Sequence, residues 1–171
     1  VGNLGLQPYQ PRDRILTTFE LTEVLTAEGR WWPLMRFCLA TGCRIGEALQ
    51  MTPEQVTGDV WTIPETKNGK PHSLWLTDFA KQQIEAGWPQ LCYEMVWKWS
   101  NDIGLDWNFH DLRRTAATLM RAANVSVEAV ETVLNHSPGR LVQVYQRHDK
   151  LPVIKAALLV LENELIKLTV A

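Results

Sequence analysis

Apolar positions recur along most of this chain at three- and four-residue spacing, the signature of helices with one buried face. Thr17-x-x-Glu20 reads as a capping box that opens a helix to about Glu28, with Phe19, Leu21, Val24 and Leu25 apolar and Gly29 ending it. Pro33 is tolerated in the first turn of a second helix, where Leu34, Phe37, Cys38 and Leu39 run to a break at Gly42. A short helix opens at Arg44, with Ile45, Ala48 and Leu49 inward and Glu47 three residues on. Then the period changes. Val56 to Pro64 and His72 to Leu76 are short and rich in β-branched and aromatic residues, and Lys67-Asn68-Gly69-Lys70 between them reads as a hairpin turn. Thr77 caps a helix to about Ala86, which Gly87-Trp88-Pro89 breaks. Leu91 to Ile103 carries another, with Tyr93, Val96, Trp97 and Ile103 spaced for core contact.

Two further helices follow. The first bears His110 and Arg113 in its opening turn, three apart and so on one face, backed by Ala116, Ala117, Leu119, Met120 and Ala123. The second has Ser126 as N-cap, Glu128 near its positive end, and Val127, Val130, Val133 and Leu134 inward. It stops at His136-Ser137-Pro138-Gly139, which leaves His136 at a helix end facing a loop. Pro152 starts a last helix in which Ile154, Leu158, Leu161, Leu165 and Leu168 form one narrow apolar stripe. Such a stripe needs a partner surface, and a neighbouring protomer is the expected one; in an isolated domain the helix would instead fold back or be disordered. The pattern predicts an α+β fold, mainly helical with a small antiparallel sheet. Residues 1–16, Gly- and Pro-bearing and without period, read as a linker or arm, 17–150 as the main domain, and 151–171 as the C-terminal helix.

Composition changes this picture little. The chain has 171 residues, 46% of them hydrophobic, which suits one core large enough to fold alone. Net charge is −2 and the isoelectric point about 6.1, so any nucleic-acid surface requires basic groups to converge in space. Cys38, Cys43 and Cys92 are odd in number and lack metal spacing, which favours a reducing, cytoplasmic compartment over a disulfide scaffold. Cys43 reads as a small buried thiol. No apolar run approaches the ~20 residues of a membrane span. Most of the eight tryptophans are expected in the core.

The candidate chemistry lies in 110–145. His110, Arg113, His136 and Tyr145 supply two imidazoles, a guanidinium and a hydroxyl nucleophile, a set suited to a phosphodiester. The pattern His110-x-x-Arg113, then Leu134-x-His136-Ser137, then Tyr145 nine residues after His136, resembles the tyrosine recombinases, or phage-type integrases. Their upstream arginine motif is matched by Thr41-Gly42-Cys43-Arg44-Ile45-Gly46-Glu47, and their hairpin lysine by Lys67. The resemblance spans roughly residues 17–150. It implies the catalytic fold shared by tyrosine recombinases and type IB topoisomerases, double-stranded DNA sites as partners, a homo-tetramer on DNA, and neither metal nor cofactor. It implies Tyr145 as nucleophile through a 3′-phosphotyrosyl intermediate, Arg44 and Arg113 on the non-bridging oxygens, and Lys67 as acid for the 5′ oxygen. His110 would help activate Tyr145, and His136 would donate to the phosphate.

Three departures stand out: Asn135 where a glycine commonly precedes the second histidine, no threonines before Tyr145, and a stretch 1–16 that cannot itself supply the smaller helical domain expected ahead of this one. The competing readings are a surface ion pair of Arg44 with Glu47, structural roles for His72, His148 and Tyr93, and a zinc site from His110, Asp111 and His136. For the whole chain they are a non-catalytic DNA-binding regulator of the same fold, or a type IB topoisomerase.

Overall fold

The structure is a computed structural model, and it describes residues 13–90, 92–136 and 149–170. Eight helices and one small sheet occur among the described residues. α1 (Thr18–Thr26) begins with the expected capping box: Thr17 accepts from the Glu20 N–H while the Glu20 carboxylate accepts from the Thr17 N–H. α2 (Trp32–Thr41) has Pro33 in its first turn and ends at Gly42, whose φ of 66° is the left-handed cap that glycine adopts without strain. Nearly all of α2 is buried, and it forms the central post of the fold. α3 (Ile45–Leu49) follows at once.

The sheet corrects one expectation. The segment from Val56 to Pro64 is two strands, β1 (Val56–Thr57) and β2 (Val60–Ile63), because Gly58, at φ 58°, reverses the chain between them. β2 pairs antiparallel with β3 (His72–Trp75), in the register Val60 to Trp75 and Ile63 to His72. The sheet order is β1-β2-β3. Between β2 and β3 lies a longer loop, turned at its tip by the Gly69 N–H bonding to the Thr66 carbonyl at 2.8 Å. α4 (Asp78–Ala86) has Thr77 as N-cap.

α5 (Tyr93–Asp102) corrects a second expectation. Val96 and Ser100 are its buried positions, whereas Tyr93, Trp97 and Ile103 are about half exposed. The helix ends at Asp102, so Ile103 leaves its face, and Trp97 stands next to Val96 on the helical wheel's outer side. Four of the eight tryptophans (Trp31, Trp32, Trp61 and Trp107) are buried in the core, and Trp75, Trp88 and Trp99 pack against it partly buried. α6 (Phe109–Ala122) and α7 (Val127–Val133) follow, capped by Asn108 and Ser126. Val127 points outward rather than inward, 52% exposed, as the first residue after the cap.

α8 (Leu151–Val170) folds back on its own domain. Ile154, Leu158, Leu161 and Leu165 are almost fully buried against α1, α2, α6, α7 and β3. In this single chain the stripe therefore has its partner surface within the chain, the fold-back arrangement expected of an isolated domain. Polar contacts fix the helix as well. Glu162 accepts from the Phe79 N–H in the first turn of α4 at 2.6 Å, and the Lys155 ammonium lies 3.6 Å from the centre of the Trp75 ring. No helix among the described residues is long and apolar enough to cross a membrane.

Candidate active site

Arg113 sits in the first turn of α6 because Asn108 caps that helix and Asp111 closes the capping box, its carboxylate accepting from the Asn108 N–H at 2.9 Å. Leu112 and Ala116 bury the same side of α6, and Arg113 enters the interior with them, only 4% exposed. Its guanidinium spans two helix ends. One nitrogen donates to the Gly42 carbonyl at the end of α2, at 2.5 Å, and the other to the Leu134 carbonyl at the end of α7. Carbonyls at helix C-termini carry partial negative charge and lack intrahelical partners, so a cation there is well matched. Burial first, and the charge of Arg44 second, lower the Arg113 pKa to about 10.

That clamp sets the neighbourhood. Arg44 follows Gly42 by two residues as the N-cap of α3, half-buried, with its guanidinium 2.8 Å from Glu47. The ion pair raised as the bland reading of Arg44 is thus present, beside Arg113 rather than remote from it. His110 is exposed at the same helix start. Partial burial of its ring, then the guanidiniums of Arg114, Arg113 and Arg44, hold its pKa below the usual histidine value. At neutral pH it is therefore an uncharged imidazole, able to accept a proton.

His136 stands two residues past Leu134. Its Nδ1 lies 2.7 Å from the Glu131 carboxylate, which orients the ring and turns Nε2 outward. Asp111 is spent on the cap of α6, and among the described residues no cluster of three or more potential metal ligands forms. Lys67 lies in the β2–β3 loop, exposed, and lines with Arg44, Glu47, Glu65 and Tyr93 a cavity of about 460 Å³. That loop is tied to the turn before His136: the Asn68 side chain donates to the Asn135 carbonyl at 2.6 Å, and the Asn135 side chain donates to the Thr66 hydroxyl at 3.0 Å. Five of the six predicted site residues, Arg44, Lys67, His110, Arg113 and His136, thus belong to one connected set. Tyr145, like His148, lies outside the described residues.

Several members of this set escape sequence reasoning. Glu131 gives a weak signal, an acid five residues before a histidine. His72 is bonded structurally, its Nε2 2.9 Å from the Val133 carbonyl, yet it also feels the charges of Glu47 and Arg113. Asn135 sits at φ 49°, a left-handed conformation that asparagine tolerates better than most residues other than glycine.

Residues 82–151 match the phage integrase family. The match begins inside α4 and takes in His110, Arg113, His136 and Tyr145, while Arg44 and Lys67 precede it. The chain is 24% identical over 155 residues to an integrase of Escherichia phage P2, covering 84% of this chain and 46% of that protein. It thus spans about half the length of this curated relative. Among solved structures, it is similar to the XerH site-specific recombinase bound to difH substrate in a pre-cleavage complex, with a TM-score of 0.48 and 19% identity over 77% of this chain and 48% of the other. The post-cleavage complex of XerH with palindromic difH gives 0.48 and 20%, over 82% and 50%.

Proposed function

We propose that this chain is the catalytic domain, residues 17–150 with the helix at 151–171, of a site-specific DNA recombinase that cuts and rejoins DNA through a 3′-phosphotyrosyl intermediate. The observation that supports this best is the convergence of Arg44 and Arg113 beside His110, with the lysine loop bonded to the turn before His136. Two cations facing a phosphodiester stabilise the charge that builds on its non-bridging oxygens in the transition state. The Tyr145 oxygen attacks phosphorus, His110 takes its proton, and the bond to the 5′ oxygen breaks. Lys67 gives that oxygen a proton, and His136, in the doubly protonated form with Nδ1–H on Glu131, donates from Nε2–H to a non-bridging oxygen. The new tyrosyl ester retains the energy of the broken one, so the reverse attack by a 5′ hydroxyl rejoins DNA without an external energy source. The partners are double-stranded recombination sites, on which four copies assemble.

The test uses the full-length protein with nicked duplexes tiled from the DNA flanking its own gene. A protein–DNA adduct that survives SDS and disappears in Tyr145→Phe is the expected result. No adduct on any duplex, with DNA bound, would favour the second reading, a DNA-binding regulator, which the ion pair of Arg44 with Glu47 supports. Lys67 is separated from Lys70 by sulfur at the bridging 5′ position, a leaving thiolate that needs little protonation, with a pKa near the ~8.5 of a free thiol. Lys67→Ala slows cleavage of ordinary DNA by about 10²–10⁴-fold, as for lost acid catalysis, and recovers on the sulfur strand. Rescue of Lys70→Ala instead would transfer the role.

A further inference from the structure

The Asn135 that replaces a glycine does something a glycine cannot. Its side-chain nitrogen donates to the Thr66 hydroxyl at 3.0 Å, and that hydroxyl donates in turn to the Lys70 carbonyl at 2.8 Å. From the other side, the Asn68 side chain donates to the Asn135 main-chain carbonyl at 2.6 Å. The Thr66 hydroxyl both gives and receives, as a hydroxyl can, and Thr66 is buried, so these bonds are shielded from competing water. The three links grip the loop on both sides of Lys67: at Thr66, at Asn68, and across the turn at Lys70. None of the three side chains bears charge or attacks anything. Their common product is the location of one ammonium group relative to His136 and Arg44.

We infer that Asn135, Asn68 and Thr66 form a latch that docks the lysine loop on the His136 turn before DNA arrives, and that they are positioning residues for the general acid. The inference rests on the recombinase reading above. A long, exposed loop would otherwise lose its freedom during each catalytic encounter, and an ammonium displaced by about 1 Å costs of the order of 10²-fold. With the latch in place that ordering is complete in the free protein. Asn at a left-handed position supplies the backbone shape and the donor together.

Two variants isolate the latch. Asn135→Gly keeps the φ of 49° accessible and removes only the side-chain donor; Asn68→Ala removes the other donor from an exposed position. Hydrogen exchange of the free full-length protein reads docking without any chemistry. Exchange at Lys67–Lys70, including the bonded Gly69 amide, is expected to accelerate several-fold to about tenfold, in line with the loss of one net hydrogen bond, while β2 and α2 amides stay unchanged. Cleavage reads positioning. Both variants should form the covalent adduct on ordinary DNA about 10- to 10²-fold more slowly, bind DNA as the parent does, and recover on the sulfur-substituted strand as Lys67→Ala does. Arg113→Ala should show no such recovery.

Unchanged exchange in the loop overturns the latch. Accelerated exchange with equal losses on the two leaving groups, or with no loss, overturns the positioning role. A parent protein that forms no adduct on either strand defeats the recombinase reading and the positioning role with it, while the exchange result still decides whether the loop is docked.

Discussion

At the scale of the residue, Arg113 holds the fold together and offers charge to a substrate with the same guanidinium. Two of its five N–H donors go to the carbonyls of Gly42 and Leu134, which leaves others for a ligand. Arg113→Ala should therefore cost stability as well as cleavage, about 2–4 kcal/mol for two abandoned buried carbonyls, read as a lower urea midpoint. Arg44→Ala should abolish cleavage at a stability cost under ~1 kcal/mol, because its ion pair is half exposed. Equal stability losses would remove the structural distinction between them. His72 supplies a pH test. Burial lowers its pKa in the folded protein, so the unfolded chain binds the proton more readily. Its contribution is present above the unfolded value near ~6.5 and is lost as pH falls from there through the lowered folded value. His110 acts with the same sign. Urea midpoints should fall between pH 7.5 and 5.5, and His72→Gln should start lower yet fall less. The residues at this scale were legible because their types and order are specific. The latch was not, because Thr66, Asn68 and Asn135 meet only in the folded chain.

At the scale of the element, caps were the most legible feature and inward faces the least. Thr17, Thr77 and Ser126 each accept a backbone N–H from the residue three on, as their sequence context predicts. Asn108 adds a cap that places His110 and Arg113 in a first turn. Asn108→Ala removes two bonds to the α6 backbone and half of the box with Asp111, and should cost about 1 kcal/mol, read by urea unfolding. Its loss of cleavage should exceed what that destabilisation explains, since Arg113 loses its mounting. Faces failed where an element stopped early: α5 ends before Ile103, and Val127 lies too near its cap to be covered. β1 and β2 read as one strand in the sequence because the reversal at Gly58 takes only two residues, which an apolar run of that length hides.

At the scale of the whole molecule, the last helix decides whether there is a domain at all. A narrow leucine stripe read alone suggests an exchangeable arm, because sequence shows the stripe and not the groove awaiting it. Here α1, α2, α6, α7 and β3 together form that groove. Ile154, Ala157, Leu158, Leu161 and Leu165 are each at most 3% exposed within it. At about 1.5–3 kcal/mol for each large buried side chain, they contribute of the order of 10 kcal/mol, comparable to the entire ~5–15 kcal/mol stability of a domain. Deleting 152–171 should therefore abolish cooperative unfolding, leaving a collapsed chain that binds DNA weakly, as circular dichroism across a urea series would read. Leu158→Ala alone should lower stability by about 2–5 kcal/mol while the chain still folds. Ile166→Ala on the exposed face should change it by under ~0.5 kcal/mol. A truncated chain that unfolds cooperatively with the parent's midpoint would return the helix to the role of a detachable arm. Loss of folding would instead make any exchange between protomers a rearrangement of core leucines, and therefore slow and dependent on protein concentration.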